Sequence, residues 1–254
     1  MIQQISEMAE RAVGRYQGFT ALLQGQAETV FRRGPTDESL RSDAFHTGLE
    51  AARAFASTEH AQLNDDTQKV AVAAHGAAIR DLGGNERTIP DRFAEFIFSA
   101  SLYTARLLAA QTERDVMAMA QHNHTNALRV DLYVRSGRHT PSSAAAAVMI
   151  EDSQAPAFRF IDRAGRTYKS TKHIRDIYRQ HLLNIYNEVY MDTVAEFGWE
   201  VVSISHPDPS YKWNGAEVLI VSSDQDDRPL YYDIKAEVFH PSSQALVTIA
   251  TEEP

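Results

Sequence analysis

Three acidic residues and a lysine in the last third of the chain stand at positions that could perform metal-dependent chemistry. Asp208 follows Pro207, Glu217 opens an apolar segment, and Asp233-Ile-Lys235 ends another. This order fits the loose Pro-Asp…Asp-x-Lys pattern of metal-dependent nucleases, in which carboxylates on neighbouring strands hold Mg²⁺ and the lysine orients the attacking water. The pattern is short and tolerates variable spacing, so the alternative is that Asp233 and Lys235 are surface partners on paired strands.

Other familiar site chemistry is missing from the sequence. The chain has no cysteine, which excludes thiol nucleophiles, disulfides and Cys-ligated metal sites. His122 and His124 form the closest pair among ten histidines, and two residues apart on a helix they point in different directions. The sequence contains no glycine-rich phosphate loop, serine elbow or His-Glu-x-x-His motif. We therefore favour a protein that is not an enzyme and predict no catalytic residues, metal or cofactor.

A basic segment and a tryptophan are the candidate interaction residues. Basic residues outnumber acids over 158–179, although the formal net charge of the chain is −9 and the following residues are rich in acids. Such a segment can dock to an acidic protein surface or to phosphates, or it can simply be solvated or paired within its own domain. Trp213 lies in a polar loop, where it is either an interface anchor or a lid over the core. The predicted interaction set is Arg163, Arg166, Lys169, Lys172, Arg175 and Trp213.

The first half of the chain has the apolar spacing of helices. Apolar residues recur at steps of three and four from Ile2 to Arg33, and helical composition returns over 38–56 and 66–82. Thr88-Ile-Pro-Asp91 resembles a helix-capping signal and precedes a third apolar stripe. Residues 137–157 begin with turn-forming residues and continue into a short alanine-rich helix. We predict a helical domain over 1–136 and a linker with a short helix over 137–157.

The second half alternates strand and helix patterns. Residues 158–161 alternate like a strand, 162–165 form a turn, and a long helix runs from Thr171 to Phe197 with Gly198 at its C-terminal end. Short strands are predicted at 199–205, 217–222, 230–234 and 246–250. The predicted fold class is therefore α+β. An N-terminal all-helical bundle precedes a small α+β domain over 158–254, with one long helix and a short antiparallel sheet.

The second half also resembles the tailed-phage minor capsid protein family, which is related to the Mu F-like head morphogenesis proteins. Four segments occur in the family's order within roughly a hundred residues. The first segment, Phe160-Ile-Asp-Arg-Ala-Gly-Arg-Thr-Tyr168, is similar to the family's hairpin, and the second is the long helix with Gly198 and the strand Val201-Val-Ser-Ile-Ser205. The third, His206-Pro-Asp-Pro-Ser-Tyr-Lys-Trp-Asn-Gly215, stands in place of a Cys-containing loop. The fourth, Val238-Phe-His-Pro-Ser-Ser-Gln244, stands in place of Phe-His-Pro-Asn-Cys-Arg-His.

The resemblance implies a structural role in a phage or phage-like particle. Its consequences would be a place in the virion head near the portal, assembly in the host cytoplasm, and contacts with the portal or major capsid protein. The basic segment could also contact packaged DNA. The family's cysteines are replaced here by residues such as Ser242 and Ser243, so we expect a metal-free version. The sequence has neither a secretion signal nor a run of ~20 apolar residues, so we expect no membrane partner.

Overall fold

The structure is a computed structural model that describes residues 1–85, 88–151, 158–161, 165–222 and 226–250. Over these residues it is 71% helical, with six helices and a small three-stranded antiparallel sheet. The class is therefore α+β with helix predominating, which confirms the predicted class in outline.

Three long helices form the first half. They are α1 (Ile2–Arg33), α2 (Glu38–Asp81) and α3 (Arg92–Arg135). Helix α1 has the predicted limits, and its buried stripe runs from Ile5 through Tyr16 to Leu23. The break expected between residues 56 and 66 is wrong, because α2 is continuous there. Those residues include no glycine or proline, and Glu59 and Leu63 are buried, so both hydrogen bonding and packing favour helix.

A short helix and a hairpin lead to the long helix of the second half. Helix α4 (Pro141–Glu151) packs Ala144 and Val148 against Val130. Strands β1 (Arg159–Ile161) and β2 (Thr167–Lys169) pair antiparallel, with residue 160 opposite residue 168. Of the predicted turn over 162–165, only Gly165 lies within the described residues, with φ +77°. Strand β2 continues directly into α5 (Ser170–Ala195).

The C-terminal sheet follows α5. Gly198 adopts φ +85° after the helix, a conformation that glycine tolerates best. Strand β3 (Val201–Ser205) is central, between β4 (Glu217–Leu219) and β5 (Leu246–Ile249), and both pairings are antiparallel. The strand predicted at 230–234 is wrong, because α6 (Tyr231–Val238) forms there. Tyr231, Ile234 and Val238 are buried at steps of three and four, which places them on one helical face.

Contacts divide the chain into two compact units. The first comprises Met1–Glu10, His60–Thr104 and Arg175–Pro254, and the second comprises Arg11–Glu59 and Ala105–Ile174. Each of α1, α2, α3 and α5 contributes residues to both units. The limits predicted at residues 137 and 158 both fall inside the second unit, so these units differ from the sequential domains expected from composition.

Candidate interaction surface

The basic segment occupies β2 and the first turns of α5. Arg166, Lys169 and Lys172 are exposed, whereas Arg163 lies outside the described residues. Arg175 forms a two-pronged ion pair with Glu10, with Nε to Oε1 at 2.6 Å and Nη2 to Oε2 at 3.1 Å. Glu10 also raises the pKa of Arg175. The charge of Arg175 is therefore balanced within the protein, and the side chains of Arg166, Lys169 and Lys172 are exposed.

Buried hydrogen bonds in the second unit fix the first residue of α5. Ser170 Oγ donates to Asp115 Oδ1 at 3.2 Å, and Gln111 Nε2 donates to that same carboxylate oxygen at 3.0 Å. Gln111 Nε2 also donates to Ser170 Oγ at 3.0 Å, and the Tyr16 hydroxyl donates to Asp115 Oδ2. All four residues are buried. Lys169 and Lys172 therefore lie on either side of a residue that buried hydrogen bonds hold in place.

Asp115 is a buried carboxylate held by neutral donors. Burial raises the pKa of Asp115 to about 6, even though its hydrogen bonds from Tyr16, Ser170 and Gln111 lower it. Burial also raises the pKa of Tyr16, so its hydroxyl stays protonated and can donate. The prediction from sequence missed this cluster. Its signal was indirect, because Gln111 and Asp115 begin and end the polar run 111–115, and only their spacing of three and seven residues from Leu108 places them on the apolar stripe of α3.

In the first unit, α5 is fixed by polar contacts with α2 and α3. The Thr67 hydroxyl donates to Leu63 O at 2.6 Å, so Thr67 Oγ1 accepts from His181 Nε2 at 2.7 Å. His181 Nδ1 then accepts from the Thr104 hydroxyl at 3.0 Å. Burial lowers the pKa of His181 to about 4, which agrees with a neutral imidazole. Tyr178 also donates to buried Asp66 at 2.7 Å.

Trp213 is half-buried in the loop between β3 and β4. Its indole Nε1 donates to Glu237 Oε1 of α6 at 3.1 Å, and Lys212 Nζ contacts the same oxygen at 2.8 Å. The Lys212 ammonium also lies 4.8 Å from the centre of the Trp213 ring. Trp213 is therefore attached to α6 and keeps part of its ring exposed, an arrangement compatible with both roles considered above.

Hydrogen bonds within the same loop give it a fixed shape. Asp208 accepts from Ser210 through the backbone N–H at 2.9 Å and the hydroxyl at 2.7 Å, and these bonds lower the pKa of Asp208. The His206 ring stacks on Tyr211 with centroids 4.1 Å apart. Gly215 closes the loop at φ +79°. Asp208 thus stabilises a turn.

The remaining residues of the nuclease hypothesis have separate partners. Glu217 accepts from Arg228 at 2.6 Å, and Lys235 Nζ contacts Glu188 at 2.6 Å. Asp233 is exposed in the first turn of α6, so the strand that the hypothesis requires at this position is absent. Across the described ranges, no group of three or more His, Cys, Asp or Glu residues is placed to hold a metal ion.

Helix α3 is notably apolar. Among the described residues, it alone is long and apolar enough to cross a membrane by length and composition, with a mean hydropathy of 1.2 over its best 18-residue window. Core helices of water-soluble proteins pass the same criterion, but they are mostly buried, whereas a third of this window is buried. The finding does not by itself indicate a membrane protein.

Comparisons with known proteins identified no relative. No protein family model matches the chain, and no curated protein or solved structure is significantly similar to it. Any functional assignment therefore depends on the residues and their geometry.

Proposed function

We propose that the protein is a structural minor capsid or head morphogenesis protein of a phage or phage-like particle. It acts by docking near the portal, without enzymatic activity. The observation that carries the proposal is that the family-like segments fold consecutively as distinct elements. The hairpin β1–β2 leads into α5, Gly198 precedes the central strand β3, and the aromatic loop follows β3. This is the order of elements that the resemblance implies, which supports the proposal.

The second cysteine-bearing position of the family also has a structural counterpart here. Phe239 is fully buried, and His240 begins a turn in which its Nδ1 accepts from the Ser242 N–H at 3.2 Å. Ser243 Oγ accepts from the Ala245 N–H at 3.0 Å. Hydroxyl and imidazole groups thus close this turn through backbone hydrogen bonds. The version of the fold proposed here is metal-free, because serine replaces the family's cysteine at this turn.

The docking surface in this proposal is the cationic face at the start of α5. Lys169 and Lys172 are exposed and lie on either side of the anchored Ser170. Three residues apart near a helix start, their ammonium groups can meet one acidic surface. The portal or the major capsid protein is the proposed partner, and phosphates of packaged DNA are a second source of negative charge.

A charge reversal tests the docking surface. The double substitution Lys169→Glu and Lys172→Glu should weaken binding to the portal protein of the same genome by about tenfold or more at low salt. The difference should shrink above ~0.5 M salt, because screening already weakens such contacts there. The matched control is Arg32→Glu with Arg33→Glu, at two exposed cations that end α1. Equal binding by the Lys169/Lys172 variant and the wild type at every salt concentration would reject this surface.

A further inference from the structure

In the first unit, a cleft of about 260 Å³ lies between the start of α3 and the last turns of α5. It is smaller than the roughly 300–1,000 Å³ of pockets for drug-sized ligands, so it suits a group of the size of one side chain. Phe93 in its wall is buried and Phe96 is 39% exposed, so the second ring is open to an incoming molecule. The lining combines aromatic rings with charged groups: Arg92, Phe93 and Phe96 from α3, and Glu188 and Asp192 from α5.

The acids at this end of α5 stand where the helix itself disfavours them. Glu188, Asp192 and Glu196 follow one another at steps of four, and the last turn of α5 holds no basic residue. Like charges at this spacing repel each other, and the C-terminal end of a helix carries a partial negative charge of its own. Local patterns that oppose the fold in this way are typical of functional sites, and this one requires cations from other elements.

Two cations of the protein contact these three carboxylates. Nε and Nη2 of Arg92 both donate to Asp192 Oδ2, at 3.1 and 3.0 Å, and Nη1 contacts Glu196 Oε1. Lys235 Nζ contacts Glu188 Oε1 at 2.6 Å. Within the described ranges, no donor contacts Asp192 Oδ1. The cluster therefore keeps one negative charge in excess and one carboxylate oxygen that can still accept.

The contacts of Arg92 show which kind of cation suits this cleft. Its Cζ lies 4.7 Å from the centre of the Phe93 ring while its N–H groups donate to Asp192. A guanidinium is planar and weakly hydrated, so it can stack on a ring and donate to a carboxylate at the same time, whereas an ammonium is compact and strongly hydrated. Phe96 and Asp192 Oδ1 offer a ring and an acceptor of the same kinds to a second cation.

We propose that the cleft binds one alkylguanidinium group, with the Asp192 carboxylate as its acceptor and the Phe96 ring against its plane. The excess negative charge favours a cation over an anion, and the volume admits a guanidinium with a short alkyl stem. This chemistry has two sources, an arginine side chain of a protein and a free guanidino compound. The cleft uses none of the residues of the cationic face, and the proposal holds whether or not the chain is a capsid component.

Backbone amide chemical shifts of the full chain, titrated with butylguanidinium at low salt, test the site. Signals of residues 92–96 and 188–196 should shift together with a Kd of about 10 mM or tighter. Butylurea has the same shape without the charge and should shift none of these signals. Butylammonium has the charge without the planar fork and should bind at least about threefold more weakly than butylguanidinium.

Two variants with matched controls connect the binding to the cleft. Asp192→Asn keeps the side-chain shape and an oxygen that can accept from Arg92, and it should raise the Kd about fivefold or more. Phe96→Ala should raise the Kd by a similar factor, because the open ring is lost. Glu95→Gln and Phe98→Ala remove an exposed acid and an exposed ring of the same helix outside the cleft, and both should leave the Kd within about twofold. Circular dichroism should show equal helical content in all four variants.

Two further ligands distinguish the sources of the guanidinium. A Gly-Arg-Gly peptide blocked at both ends presents the group as a protein does, and agmatine presents it as a small free compound. Similar Kd values for the two would assign the cleft to an arginine side chain of a partner. Agmatine binding about tenfold or more tightly than the peptide would assign it to a free compound.

Three results would overturn the proposal. The first is an absence of shifts at residues 92–96 and 188–196 up to about 50 mM butylguanidinium. The second is equal binding of butylurea, or tighter binding of butylammonium, because the site would then not recognise a guanidinium. The third is binding that Asp192→Asn and Phe96→Ala leave unchanged, or that Glu95→Gln and Phe98→Ala weaken as much, since the ligand would then lie outside the cleft.

Discussion

At the scale of single residues, Asp115 is the most informative position in the second unit. Its carboxylate accepts from Tyr16, Gln111 and Ser170 and connects three segments that are far apart in the sequence. A buried acceptor with three donors stabilises the structure mainly because removing it leaves those donors without a partner. Asp115 thus contributes to fixing the start of α5, between Lys169 and Lys172.

Asp115→Ala should lower the free energy of unfolding by about 2–3 kcal/mol, because the buried hydroxyls of Tyr16 and Ser170 lose their acceptor and Gln111 loses one of two. Asp115→Asn should cost less, since its amide oxygen still accepts from Ser170 and Gln111 and its NH₂ can donate to the Tyr16 oxygen. Urea unfolding at pH 7.5 measures both variants. Equal losses in the two would contradict this account, because Asn keeps both the side-chain volume and an acceptor oxygen that Ala lacks.

The pH dependence of stability should reveal Asp115 and His181 as opposing groups. The folded pKa of Asp115, about 6, lies above its ordinary value of 3.8, so its contribution stabilises the protein as pH falls from 6 towards 4. The folded pKa of His181, about 4, lies below its ordinary 6.5, so its contribution is lost as pH falls through the same window. In the wild type the two effects largely cancel.

Asp115→Asn removes one of these opposing effects. From pH 7.5 to pH 4, the variant should lose roughly 2–3 kcal/mol more unfolding free energy than the wild type, because only the His181 effect remains. Urea unfolding at four pH values across this range provides the comparison. Parallel stability curves for the two proteins would contradict the pKa assigned to Asp115.

The sequence indicated some residues of the candidate surface but none of its ion pairs or long-range hydrogen bonds. The cations at 166, 169 and 172 could be chosen from sequence because they cluster locally, and they are exposed in the structure. Arg175 could not be separated from them, because its partner Glu10 lies 165 residues away. The contact between Asp115 and Ser170 could not be predicted for the same reason: the two residues are far apart in the sequence, and their contact depends on how α3 and α5 pack.

At the scale of elements, local patterns predicted most of the helices and strands. Helix α1, the hairpin, α5 and strands β3, β4 and β5 lie where periodicity and glycine placement indicate. Helix α6 was misassigned because Leu230, Tyr231, Tyr232 and Ile234 have the composition of a strand. Its helical spacing becomes evident only when Val238 is included, four residues beyond the predicted strand. Packing of the buried face decided the outcome.

The helical conformation of residues 231–238 has a functional consequence. Asp233 is exposed on α6, and Lys235 contacts Glu188, so the neighbouring strands that the nuclease pattern assumes are not formed here. We expect the purified protein with Mg²⁺ or Mn²⁺ to leave supercoiled and linear DNA intact. Metal-dependent cleavage that disappears in Asp233→Ala and persists in the control Asp227→Ala would show that the enzyme hypothesis is correct.

At the scale of the whole molecule, composition alone did not predict how the chain divides. The turn-rich residues near 137 resemble a linker, yet they lie within the second unit, where Val130 of α3 contacts Val148 of α4. Helices of 32 and 44 residues exceed the span of one small core, so segments distant in sequence share each unit. Limits between such units are set by packing, which local sequence patterns do not record.

The contacts between segments show how the charged residues of the chain are paired. The chain has a formal net charge of −9, and many of its exposed ion pairs join neighbouring segments, as Lys212 and Glu237 do. Exposed pairs of this kind contribute little stability, typically below ~1 kcal/mol. A local cationic face on an acidic protein is therefore better suited to recognition than to folding, which agrees with the proposed docking role.

A structural component of a particle head, as proposed here, must be present in finished particles. Quantitative mass spectrometry of purified, DNA-filled particles from a producing culture tests it most directly. We predict that the protein is present in a constant ratio to the portal protein and stays with the particles after a high-salt wash and nuclease treatment. Particles that lack the protein, while it accumulates in the cell extract, would contradict the proposed function.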